Sequence, residues 1–283
     1  AAAEERTPAV YDPPDPSPRA DLNTAGRTNA NSMENEIKAK GFEANLPAGF
    51  VKPTDDAGRL LLKEYGAVFL ARGGVTPPRK VVFKDQAEVS LFQSSLRISK
   101  HLIGGFDLEL QSDAMDALKK AIDETTAAGK SISPRDNDSA RRSYDETIAL
   151  WASRVDPALK HWISRGRITQ AQADRLKSLT PFEQVPEVLK LEAQGIWFAK
   201  DLSKSIIYSV APPGTSQHLS MLAFDVKEHD DSKVREILAK HGWFQTVVSD
   251  LPHFTFLGTA ESELAGLGLK RFSSGGRTFW IPE

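Results

Sequence analysis

The chain has 283 residues, no cysteine, and a formal net charge of −2 from 36 Lys and Arg against 38 Asp and Glu. That length fits one or two domains with a real core, and a near-neutral charge without a basic stripe excludes the electrostatic footprint of a nucleic-acid binder. The missing cysteines exclude disulfides, thiolate zinc sites and a Cys nucleophile, and no apolar run approaches the roughly 18–20 residues of a membrane span.

The chain begins Ala1-Ala2-Ala3-Glu4, small residues like those left by signal-peptide cleavage. Pro8, Pro13, Pro14, Pro16 and Pro18 follow, then an Asn- and Ala-rich run. Such a segment buries too little apolar surface to offset its ordering entropy. Residues 1–55 are therefore expected to form an extended or disordered N-terminal arm.

Tyr65–Leu70 and Lys80–Phe83 read as strands around Gly73-Gly74 and Pro77-Pro78, which predicts a hairpin in a β-containing region over 56–110. Residues 113–128 carry helical periodicity through Met115, Leu118 and Ile122, closed by Gly129. Ile148, Trp151, Val155, Leu159 and Trp162 recur at spacings of three and four, predicting a long amphipathic helix capped at Asp138 or Ser139. Pro157 is expected to kink or split it. Arg141 and Arg142 would then sit in its first turn, against the helix dipole. Short helices are predicted at 169–177 and 181–194.

Further on, Ile206–Val210 and Met221–Val226 read as strands around a Pro212-Pro213-Gly214 turn. A helix over 231–241 and strands at Trp243–Val248, His253–Leu257 and Thr278–Ile281 complete the chain. Helices first and short strands last predict an α+β fold with a small, mostly antiparallel sheet and flanking helices.

Of the six histidines, His218 alone has an aspartate seven residues on, Asp225, and His253 alone has an acid three residues before it, Asp250. His218, Asp225 and His253 make a three-ligand set of the kind a catalytic zinc uses, with a fourth position left for water. Asp250 is a carboxylate outside that set and is a candidate to take a proton from the water. Taken singly, each spacing is common, and a lone His is usually a satisfied polar side chain. Trp151, Trp162 and Trp197 read as core, and His229 and His241 as exposed or capping.

The run Ala211–Val226, with Pro213-Gly214, Ser216-Gln217-His218 and Asp225, resembles the signature of the VanY-type D-alanyl-D-alanine carboxypeptidases. These are LAS zinc peptidases that share the hedgehog/DD-peptidase fold. His241-Gly242-Trp243-Phe244, Asp250-Leu251-Pro252-His253-Phe254 and Arg142-Ser143-Tyr144-Asp145-Glu146 resemble further motifs of that family, in the family's order. The resemblance spans about 110–260 and implies a zinc peptidase domain over 111–283 behind an N-terminal extension. It implies Zn2+ on His218, Asp225 and His253, Asp250 as general base, Arg142 on the substrate carboxylate or the attacked carbonyl, and Ser216 as a substrate hydrogen-bonding residue. It also implies peptidoglycan stem peptides as partners and a periplasmic or secreted location. Met221 stands where the family has Gly, Asp250 where it often has Glu, Pro252 where it has Trp, and the Gln that ends the Arg motif is absent.

Two rival enzymatic signatures are missing: no Ser is followed by Lys three residues on, and no Gly-x-Ser-x-Gly elbow occurs. The readings left are a D-Ala-D-Ala carboxypeptidase, an endopeptidase of the same fold, and a zinc-containing module that binds peptidoglycan without cutting it.

Overall fold

The computed structural model describes residues 41–283; the arm expected over 1–55 lies mostly outside them. Its last part does not behave as an arm. Phe42 is buried in the main core beside Leu61, Leu62 and Tyr65.

The helices are α1 (Asp56–Tyr65), α2 (Gln86–Ser94), α3 (Ser112–Ala127), α4 (Tyr144–Ser164), α5 (Gln170–Ser178), α6 (Pro181–Glu192) and α7 (Ser232–Lys240). Three small antiparallel sheets accompany them. One pairs β1 (Ile98–Ile103) with β2 (Phe106–Gln111). The second has the order β3 (Ala223–Asp225), β5 (His253–Phe256), β4 (Trp243–Phe244). The third pairs β6 (Leu269–Ser274) with β7 (Arg277–Pro282). The α+β class with small antiparallel sheets and flanking helices is as expected.

The helices begin where their caps say. Ser143 takes the Glu146 amide while the Glu146 carboxylate takes the Ser143 amide, a reciprocal capping box, and Thr169 and Thr180 repeat it on α5 and α6. The cap expected at Asp138 or Ser139 is therefore displaced to Ser143. Arg142 lies before the helix rather than in its first turn, and the dipole cost assigned to it does not arise. Arg141 turns away to Glu109 on β2, at 2.5 Å.

α4 runs through Pro157 without splitting. Its stripe of Trp151, Val155 and Leu159 is buried along the whole length, each side chain contributing about 1.5–3 kcal/mol. That outweighs the single backbone donor proline removes. The Trp151 indole N–H also donates to Gln184 on α6 at 2.7 Å.

Three predicted strands are not strands. Gly66–Leu70 is a 3-10 turn continuing α1, and all five of its residues are buried. A short wholly apolar run carries no period to separate strand from helix. Lys80 makes one isolated bridge, to Val51, so the hairpin expected there is absent. Ile206–Tyr208 is a 3-10 turn, because its backbone donors are spent locally. The Ile206 amide donates to the buried Glu192 carboxylate at 2.7 Å, and the Tyr208 amide to the Ser205 carbonyl at 3.1 Å.

The actual hairpins turn at Gly104-Gly105 and Gly275-Gly276. All four glycines have positive φ, as two-residue hairpin loops of the twisted type require.

One core joins these layers, from Phe69 and Leu70 through Leu110, Met115 and Trp151 to Phe224, Trp243 and Phe254. It holds β3 and β5 rigidly in its middle, and their polar positions carry the site.

Candidate metal centre

His218 lies on a buried 3-10 turn, Gln217–Ser220, that follows the Pro212-Pro213-Gly214 turn. Gly214 has φ +79, and a Cβ there would collide with the Phe83 carbonyl. The Phe83 amide donates to the Gly214 carbonyl at 2.9 Å, so only glycine lets the turn seat against the N-terminal segment. The turn leaves through Met221, whose φ is +58. Met221 therefore carries the left-handed conformation on a buried side chain.

Asp225 ends β3 and is the direct antiparallel partner of His253, which opens β5. The three sequence candidates thus come together. His218 Nε2 lies 3.3 Å and His253 Nδ1 3.2 Å from the same Asp225 oxygen, Oδ1. The two rings meet edge to face with centroids 4.9 Å apart. All three residues are buried, and their ligand atoms lie within 4.8 Å of one another.

The surrounding hydrogen bonds fix where the ring protons are. His218 Nδ1 faces the Ala140 carbonyl at 2.7 Å. A carbonyl only accepts, so the proton is on Nδ1 and Nε2 is bare. Gln217 donates its amide to the Tyr65 carbonyl at 2.9 Å, which leaves its Oε1 as an acceptor. His253 Nε2, 2.9 Å from that Oε1, is the donor, and Nδ1 is bare in the neutral ring. Two imidazole lone pairs and one carboxylate oxygen therefore face one another in a buried space. Among the described residues, His218 Nε2 has no hydrogen-bond partner. Converging acceptors without a donor repel, and a divalent cation removes that repulsion. Outer-ring N–H groups tied to a carbonyl and an amide oxygen are the arrangement that orients histidine ligands. The donor set fits zinc, whose four-coordinate catalytic sites take three protein ligands of this kind.

Electrostatics agree with this protonation. Burial, helped by the Arg142 charge, lowers the His218 pKa to about 4, so its imidazole is neutral at pH 7. The Asp225 carboxyl, which burial by itself would raise, is held well below the usual range, so it is an anion beside the two rings. Its second oxygen accepts from Arg142 Nη2 at 2.9 Å.

A cleft of about 370 Å³ opens on the centre, lined by Arg142, Ser216, Asp250 and the three metal-site residues, and further out by Asp138, Arg154 and Tyr208. Asp250 is half-buried in its wall. Burial first, and then the Asp225 charge, raise its pKa above the ordinary carboxylate value, which moves it in the direction a general base at neutral pH requires. Arg142 is also held by the Asp138 backbone carbonyl at 3.1 Å. Ser216 is buried at the cleft floor.

Sequence reasoning missed the groups that set the tautomers. Gln217 sits inside the quoted motif, next to His218, and could have been weighed there as a buried partner. The Ala140 and Tyr65 carbonyls carry no sequence signal, since every residue type has one.

The chain is thus an α+β protein with a buried site suited to one divalent cation at the floor of an open cleft. Among the described residues no helix is long and apolar enough to cross a membrane. No family model matches it, and no curated protein matches it. Among solved structures it is similar to the LdcB LD-carboxypeptidase, a protein studied for the molecular basis of peptidoglycan recognition. The identity is 15%, the TM-score 0.31, and the match covers 56% of this chain and 64% of that one. A likeness of that degree carries no weight for activity, and the chain spans less than two thirds of the other's length.

Proposed function

We propose that this protein is a zinc-dependent peptidase of the bacterial cell envelope that cuts D-alanyl peptide bonds in peptidoglycan stem peptides. The observation that carries the metal assignment is the meeting of two bare imidazole nitrogens and one carboxylate oxygen in a space with no donor. The peptide substrate is supported by the order and identity of the motifs around Arg142, His218, Asp225, Asp250 and His253. A substrate in the wall would place the protein in the periplasm or outside the cell.

Zinc bound there would supply Lewis acidity toward a water molecule and the scissile carbonyl. The chain does the rest. Asp250 accepts the proton of the attacking water and returns it to the leaving amine. Arg142 places fixed positive charge beside the carbonyl oxygen as it becomes negative. Ser216 offers a hydrogen bond to the peptide backbone. His218 and His253 would present their inner nitrogens to the ion, because their outer nitrogens are committed to Ala140 and Gln217. Every one of these side chains lies between residues 111 and 283, the proposed peptidase unit, and the 56–110 segment supports it through Tyr65.

The deciding measurement is zinc content of the purified, zinc-supplied protein beside its His218→Ala variant, followed by hydrolysis of peptides ending in D-Ala-D-Ala. One zinc per chain, lost in the variant, together with hydrolysis that Asp250→Ala abolishes while keeping its zinc, is the expected result. Zinc without hydrolysis would leave a wall-binding module, and no zinc in the wild type would remove the proposal.

A further inference from the structure

Three arginines line the cleft: Arg135, Arg142 and Arg154. They are not equally available to a ligand. Arg142 is 15% exposed and committed to acids, with Asp225 at 2.9 Å and the Asp138 carboxylate at 3.3 Å. Moving it onto a substrate would strip a buried carboxylate of its cation, which costs more than a new pair returns. Arg154 spends Nε on Ser209 at 2.8 Å and Nη1 on Ser153 at 3.0 Å. Arg135 is exposed and makes no hydrogen bond or ion pair among the described residues. Among the described residues no lysine lines the cleft.

The backbone puts Arg135 beside the metal centre. Pro134 makes an antiparallel bridge to Val226. The Ser133 carbonyl accepts from the Lys227 amide, and the Ser139 carbonyl from the Asp225 amide, both at 2.9 Å. Arg135 follows directly on that bridge. The segment 133–139 thus lies along the free edge of β3, and its one uncommitted guanidinium lines the cleft that Asp250 also lines. The Arg135 charge is among those acting on Asp250, which agrees with this proximity.

We propose that Arg135 anchors the free C-terminal carboxylate of the substrate, while Arg142 stays paired with Asp225, from where its charge faces the carbonyl oxygen. A guanidinium fork takes a carboxylate through two parallel charge-assisted hydrogen bonds. An anchor one residue beyond the scissile bond selects chain ends over internal peptide bonds. The cleft is therefore assigned to a carboxypeptidase rather than an endopeptidase, and the assignment rests on the peptidase reading above.

The test is binding, not turnover. The zinc-loaded Asp250→Ala protein is titrated by calorimetry with an N-acetylated tripeptide ending in D-Ala-D-Ala and with its C-terminal amide. The free acid is expected to bind about tenfold tighter than the amide. Adding Arg135→Gln should remove that preference, weaken the acid about tenfold and leave the amide unchanged. Arg135→Lys, which keeps the charge but not the fork, should restore part of it. Zinc content equal to the parent shows that the site is intact in each variant. Equal binding of acid and amide by the parent, no binding of either at millimolar concentration, or a preference that survives Arg135→Gln would each overturn the anchor. A preference lost with Arg135, in a protein that with Asp250 intact hydrolyses neither peptide, would uphold the anchor and remove the peptidase reading alone.

Discussion

Replacing Gln217 by Leu keeps the side-chain volume nearly constant and removes four hydrogen bonds around the candidate metal site. The Tyr65 carbonyl loses its donor at 2.9 Å, His253 Nε2 loses its acceptor at 2.9 Å, the Thr255 hydroxyl loses a short bond to the same oxygen, and the Thr246 hydroxyl loses a long one from the amide nitrogen at 3.4 Å. Thr255 has a second partner in Thr246 at 2.7 Å, so two groups are left orphaned. Each buried unsatisfied group costs about 1–3 kcal/mol, which sums to about 2–6 kcal/mol in the zinc-free protein. The effect on zinc is separate. Without Oε1, the His253 ring is free to carry its proton on Nδ1, the atom that faces Asp225, and loss of such an orienting partner typically weakens metal binding about 10–100-fold. Urea unfolding in the presence of a chelator reads the first number, and competition with a chromophoric zinc chelator reads the second. Zinc affinity within about twofold of wild type would show that Gln217 does not set the His253 tautomer, and the donor-counting reasoning would fall.

Three further outcomes follow from the same coordinates. Glu192 is buried, and its carboxylate accepts from the Phe198 amide at 3.1 Å, the Ile206 amide at 2.7 Å and the Ser205 hydroxyl; Glu192→Ala should cost about 2–4 kcal/mol in chemical denaturation, and a loss below about 0.5 kcal/mol would contradict that role. Asp138, pushed up to about 6 by burial and by neighbouring Asp136, stabilises the fold fully below its ordinary 3.8 and loses that contribution as pH rises through its folded value. Asp138→Asn should therefore gain on wild type between pH 4 and 7 in zinc-free protein, by about 1 kcal/mol once solvent screening of a partly exposed group is allowed for; a gain in the opposite direction would refute the shift. Met221→Gly should relieve about 1–2 kcal/mol of left-handed strain but forfeit about 1.5–3 kcal/mol of burial, since Met221 is fully buried; thermal unfolding should show a net loss of about 1 kcal/mol or less, and a loss above about 3 kcal/mol would mean that the strain is not there.

The hairpins mark where local reading went astray. Gly104-Gly105 and Gly275-Gly276 are two-residue hairpin signals that can be seen without coordinates, yet Gly73-Gly74 is the same dipeptide and turns no hairpin. At Gly73 a Cβ would strike the Gly258 carbonyl at 2.7 Å. This pair therefore serves close packing against a distant loop, a contact that no local pattern encodes. In the same way, Gly66–Leu70 and Ile206–Tyr208 took the conformation their surroundings imposed, because short apolar runs hold no decisive period.

The sequence by itself determined the long helices, whose apolar stripes and caps are local. It also picked out His218, Asp225 and His253 as a candidate set, because a metal site demands residue types that are scarce in a chain with six histidines. Only the tertiary structure decided how those types are used. Asp225 meets His253 through strand register, and Ala140 and Tyr65, 78 and 152 residues from His218 and Gln217, contribute backbone carbonyls that place the protons. It also decided that Arg142 is paired with Asp225 while Arg135 makes no hydrogen bond or ion pair among the described residues. Ligand identity lives in side-chain chemistry, which sequence spells out, whereas protonation and pairing live in distances between segments far apart in the chain.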